Sequence, residues 1–86
     1  MAGLRAELAP ATVLAGVQAV WDTAAGREVA RHCEPVSEKA GVVTVRCDSG
    51  VWAAELSMMS QRLVDSLNEA SPKGPPVRAI RFVVGA

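Results

Sequence analysis

Ser49-Gly50-Val51-Trp52-Ala53-Ala54-Glu55-Leu56 opens the longest helical pattern in the chain and decides how the rest is arranged. From Trp52 on, the large apolar residues fall at Trp52, Leu56, Met59, Leu63 and Leu67. Steps of four, three, four and four place them on one stripe of an α-helix. Glu55, Ser57, Gln61, Arg62, Asp65 and Glu69 fill the polar side. Ser49 or Asp48 stands where an N-cap oxygen is wanted, and Asn68 followed by Ser71-Pro72 ends the pattern. Burying each large side chain of the stripe is worth roughly 1.5–3 kcal/mol. One long helix over residues 51–68 is therefore expected as the main wall of the core.

Working back toward the N-terminus, Val42-Val43-Thr44-Val45-Arg46-Cys47 is β-branched and alternating, with Val43, Val45 and Cys47 on one face. Ala40-Gly41 reads as a hairpin turn, and residues 34–39 as the antiparallel partner, with Val36 its only large apolar group. Pro35 turns the chain extended around Glu34. Before it, Val13, Val17, Val20 and Ala24 recur at helical spacing, flanked by Leu14 and Trp21, with Gln18 and Asp22 toward water. Thr12 is placed to cap that helix and Gly26 to end it. Arg27 to His32 then form a second, shorter helix. Residues 1–10 read as a lead-in, and residues 11–86 as one domain.

Beyond the long helix, Ser71-Pro72-Lys73-Gly74-Pro75-Pro76 is a semi-rigid loop. Val77 to Val84 is the last strand, with Ile80, Phe82 and Val84 on one face. The expected order is α-α-β-β-α-β. A helix joining the second and third strands calls for a parallel pair. The fold class is thus α+β: two layers, a three-stranded mixed sheet covered on one face by helices.

Composition narrows the function. A chain of 86 residues with half of them apolar is globular, and buries only about 60% of its unfolded surface. Its formal net charge is zero, whereas a protein living mainly by phosphate contact is normally basic. The charges are uneven, though. Asp48, Glu55, Asp65 and Glu69 face only Arg62 over one stretch, while Lys73, Arg78 and Arg81 give the last segment bases alone. No apolar run approaches the about 20 residues of a membrane span, and the start has no signal-peptide pattern, so the cytoplasm is expected.

Catalytic and metal-binding patterns are weak. His32, Cys33 and Cys47 are the only soft ligands, and a zinc site needs four. His32 has Glu28 one turn back as its only evident carboxylate partner. A register that puts Val36 on the face of Val43 and Val45 turns Cys33 away from Cys47, so no disulfide is expected. No Gly-Lys-Ser or Gly-Lys-Thr phosphate loop exists. Neither an enzyme, a cofactor, a metal nor a small-molecule substrate is expected. Trp21 and Trp52 read as core packing; alternatively Trp52, in the first turn of its helix, stays partly exposed as a contact anchor. Arg46, Arg78 and Arg81 with Thr44 are placed to line the open face of the sheet.

Taken together, Trp21 followed by Gly26, then Ala30, His32 and Pro35, Val43-x-Val45, Ser49-x-x-Trp52-Ala53-x-Glu55-Leu56, Leu67-Asn68 and Ile80-Arg81-Phe82 resemble the DciA family. The likeness runs from about Trp21 to Val84, and the Ser-x-x-Trp-Ala-x-Glu-Leu stretch joined to the upstream Trp-x4-Gly is its most specific part. These are bacterial accessory proteins of the replicative helicase. The resemblance implies a module likened to KH domains and to the N-terminal domain of DnaA. It implies no ATPase, binding to a DnaB-type helicase, and help in loading that helicase on DNA.

By this resemblance Trp52 and its helix, with Glu55, Leu56 and Met58, carry the partner contact, while Trp21 and Gly26 serve the fold. Weak DNA binding through Arg46, Lys73, Arg78 and Arg81 is the alternative, that of a KH-like nucleic-acid binder. The Gly-x-x-Gly loop of true KH domains is missing. A small homodimer paired along a strand edge is a third reading. Replacing Trp52 with Ala is expected to cost partner binding; unfolding instead would mark it as core.

Overall fold

The computed structural model describes residues 13–72 and 74–85. Its elements are α1 (Val13–Ala25), α2 (Arg27–His32), β1 (Cys33–Lys39), β2 (Val42–Cys47), α3 (Gly50–Met58), α4 (Ser60–Ala70) and β3 (Ala79–Val84). The Thr12 cap, the lead-in and Lys73 lie outside the described residues. The sheet order is β1-β2-β3, with β1 and β2 antiparallel and β2 and β3 parallel. This is the expected α+β class with a mixed sheet.

Each boundary has a local cause. Gly26 ends α1 at φ 98, a conformation glycine adopts without the strain a Cβ brings, and its N–H donates to Asp22 O at 3.0 Å. The hairpin turns on two residues, Ala40 at φ 52 and Gly41 at φ 87, the backbone of the tight turns whose twist matches the strands. Glu38 Oε2 accepts the Gly41 N–H at 2.8 Å and locks that turn. Gly41 has a second reason to be glycine: a Cβ there would lie 2.8 Å from Cδ of Arg78.

Two expectations need correction. The long helix is two: Met59, at φ −121 and ψ 28, interrupts it, and its N–H bonds back to Leu56 O at 3.0 Å. Ser57 and Ser60 flank the break, and both are residues that compete with helical backbone bonds. The bend lets α3 and α4 each lay an apolar side on the sheet, with Val64 joining Leu63 and Leu67 in the core.

The second correction is to β1. A register shift between Pro35 and Ser37 inserts one residue, which reverses the alternation across it. Cys33 and Pro35 point inward and are buried, whereas Val36 points outward and is 37% exposed. Proline suits this position, having no N–H to offer the ladder. Cys33 consequently pairs directly with Cys47, both buried on the core face as free thiols. Gln18 is exposed as expected, and its side chain also donates to Pro35 O at 3.1 Å, tying α1 to the bulge.

The core is assembled between the helices and one face of the sheet. Val43, Val45 and Cys47 are fully buried, and register aligns Ile80, Phe82 and Val84 of β3 with them. Trp21, 4% exposed, is a core residue whose indole N–H donates to Cys33 O at 2.9 Å. Asn68 reaches from α4 to the incoming loop: its Nδ2 donates to Val77 O at 3.0 Å and its Oδ1 accepts the Val77 N–H at 2.8 Å. That clamp seats buried Val77 before β3 begins.

Candidate functional site

Helix α3 is the unusual element. It starts on the expected cap, Ser49 Oγ accepting the Trp52 N–H at 3.4 Å. Trp52, Ala53 and Leu56 face the core, and Leu56 is 1% exposed. The opposite side should then be polar, as on any surface helix. It is so only in part: Val51 is 72% exposed and Met58 85% exposed. These two stand seven residues apart, with exposed Ala54 and Glu55 between them on the same side. Glu55 and Ser57 are the exposed polar residues of this helix, and the described residues leave Val51 and Met58 uncovered.

The base of α3 is braced at the end of the β1–β2 ladder. The Trp52 and His32 rings stack, with centroids 4.6 Å apart and planes 15° from parallel. His32 Nδ1–H donates to Asp48 Oδ2 at 2.9 Å, so Asp48 and not Glu28 is its close carboxylate. Glu28 lies 4.0 Å from the other ring nitrogen. Trp52 is half-buried, held between His32 and the core. It fixes where α3 stands and leaves an edge in solvent.

The expected contact residues therefore separate. Met58 and Glu55 are on the exposed side of α3, Trp52 at its base, and Leu56 is interior and supports the helix from within. Val51 was missed. Its signal was in the sequence, since Val51, Ala54 and Met58 repeat at helical spacing opposite Trp52 and Leu56.

Of the basic residues, Arg46 and Arg81 share the outward face of the sheet, Arg81 opposite Thr44 and two positions from Arg46. Arg46 and Arg81 are both exposed, and neither aligns with the inward residues of its strand. Arg46 is ion-paired with Glu34. Arg78 lies along the hairpin turn, its Nη1 donating to Ala40 O at 3.4 Å. Among the described residues no group of three or more His, Cys, Asp or Glu is placed to hold a metal ion. No helix among them is long and apolar enough to cross a membrane.

With that geometry in hand, comparison with known proteins is specific. Residues 3–82 match the family model described as "Dna[CI] antecedent, DciA". The chain is similar to a UPF0232 protein of Streptomyces coelicolor, SCO3875, with 44% identity over 76 residues covering 86% of this chain and 39% of that protein. A UPF0232 protein of Streptomyces avermitilis is 42% identical over 62 residues, covering 70% of this chain and 34% of its own length. BL0636 of Bifidobacterium longum is 32% identical over 68 residues, covering 79% of this chain and 43% of its own. The chain thus spans well under half the length of these relatives.

Proposed function

This chain belongs to the DciA family, and on that premise we propose that it is a non-enzymatic accessory protein of bacterial DNA replication, acting in the cytoplasm. It binds the DnaB-type replicative helicase and assists its loading or operation. The contact is made by the exposed side of α3, with Val51 and Met58 as apolar anchors and Glu55 at their rim. The observation that carries this reading is the solvent exposure of those two side chains on a helix whose other side is already packed. Apolar anchors ringed by polar groups are what a protein–protein contact uses for affinity.

Trp52→Ala would remove core packing as well as any contact, so it does not separate the two roles. Val51→Glu and Met58→Glu do, because both positions are in solvent and neither supports the fold. Each is expected to weaken binding to purified Streptomyces coelicolor DnaB-type helicase by about 5–30-fold, the effect of losing 1–2 kcal/mol. Thermal midpoints should stay at the wild-type value. Wild-type affinity in both variants would rule out this side of α3 as the contact.

A further inference from the structure

The helicase contact uses neither Cys33 nor Cys47, yet the fold brings these two residues face to face. They are direct partners in the β1–β2 register, at the first position of one strand and the last of the other. The backbone around them shows which kind of pair this is. Asp48 N–H donates to His32 O at 2.9 Å, one step outside the pair. The carbonyl of Cys33 is taken by the Trp21 indole and that of Cys47 by the Gly85 N–H at 3.1 Å. The Cys33 N–H goes to Val29 O. The Cys33 N–H and both carbonyls are therefore bonded outside the pair, as at a non-hydrogen-bonded site of an antiparallel ladder.

At such a site the two Cα atoms approach to about 4.5 Å, and side chains leave the same face of the sheet. That separation lies within the about 4.4–6.8 Å range that a disulfide spans. Both side chains point inward, at 3% and 0% exposure. A cleft of about 270 Å³ opens beside them, bordered by Arg31, Arg46, Asp48 and Gly85 as well as the two cysteines. With the thiols themselves out of solvent, reagent reaches them only when the end of the sheet opens beside this cleft.

We propose that Cys33 and Cys47 form a redox-active dithiol that a low-molecular-weight disulfide, such as oxidised glutathione, converts to a cross-strand disulfide within the native fold. One cysteine thiolate attacks a glutathione sulfur, forming a mixed disulfide and releasing one reduced glutathione. The other cysteine attacks the protein sulfur of that mixed disulfide, forming the Cys33–Cys47 bond and releasing the second. The protein gives up two electrons and two protons, and oxidised glutathione is reduced to two thiols. Burial makes the attacking thiolate scarce, so the exchange is slow at neutral pH and accelerates as pH rises.

Folded chain incubated in oxidised and reduced glutathione, then acid-quenched, tests this by intact mass and peptide mapping. The expected product is a monomer lighter by two hydrogens, with the peptides holding Cys33 and Cys47 joined. Because the strand register already pairs the two cysteines, its thermal midpoint should rise by more than about 5 °C and return on reduction by dithiothreitol. Cys33→Ala and Cys47→Ala should show neither change. Stable glutathione adducts, disulfide-linked dimers, an unchanged mass, or a linked monomer with a lowered midpoint would each overturn the assignment.

Discussion

Cys33 owes its chemistry to its surroundings. Burial, followed by the neighbouring Cys47 thiol and the charge of Asp48, pushes it up from the ordinary 9.0 to about 12. In the unfolded chain the thiol loses its proton near 9.0, while the folded chain keeps it to about 12. Between those limits the unfolded state binds fewer protons, so stability falls as pH rises. The contribution is complete below pH 9 and is lost toward 12, with a slope approaching about 1.4 kcal/mol per pH unit. Urea midpoints of the reduced protein between pH 8 and 10.5 should therefore drop more steeply for wild type than for Cys33→Ala. Parallel curves would contradict this. Trp52 and Leu56 make a related point: both read as one apolar stripe, yet one keeps an edge in solvent and the other does not.

Among the elements, the α4–β3 connection depends on one side chain. Asn68 satisfies both the N–H and the carbonyl of Val77, closing a loop that holds Pro72, Pro75 and Pro76. Asn68→Ala leaves both backbone groups without their partner and should cost about 1–3 kcal/mol by urea denaturation. Asn68→Asp, which keeps an acceptor for the N–H but loses the donor, should fall between Ala and wild type. Equal stability of all three would remove the clamp from the account. In the sequence, Asn68 reads only as a residue near a helix end. Its partner is nine positions away across a turn, and no local pattern encodes that. The break at Met59 escapes for a different reason. The apolar spacing continues through it unchanged, because the bend reorients both halves about the same sheet.

For the molecule as a whole, the exposed arginines and the exposed apolar side chains stand on different elements. The sheet carries Arg46 already paired with Glu34, while the exposed Val51 and Met58 stand on α3. Binding to the helicase should accordingly change by less than about threefold between 50 and 200 mM salt, since burial of apolar surface is little screened. A surface making about 6–10 phosphate contacts would instead lose about 10³–10⁵ over the same range. Titrations of helicase and of a single-stranded oligonucleotide at both salt concentrations compare the two directly. A steep salt slope for the helicase would move the contact from α3 to the arginines.

Periodicity and punctuation alone determined the α+β class, the order of helical and strand segments apart from the break at Met59, the hairpin at Ala40-Gly41, the end of α1 at Gly26 and a cap at Asp48 or Ser49. Each depends on residues within a few positions of one another, where backbone sterics and local hydrogen bonds decide the outcome. The family was legible from the residues because two short local motifs, Trp21-x4-Gly26 and Ser49-x-x-Trp52-Ala53-x-Glu55-Leu56, occur together in one chain. Tertiary structure alone decided the bulge at Pro35, and with it the reversal of Val36 and the pairing of Cys33 with Cys47. It also decided that His32 takes Asp48, that Asn68 holds Val77, and that α3 leaves Val51 and Met58 uncovered. Those outcomes turn on which distant segments compete for the same core face. A single inserted residue, or which described elements pack against a helix, settles them without altering the local pattern.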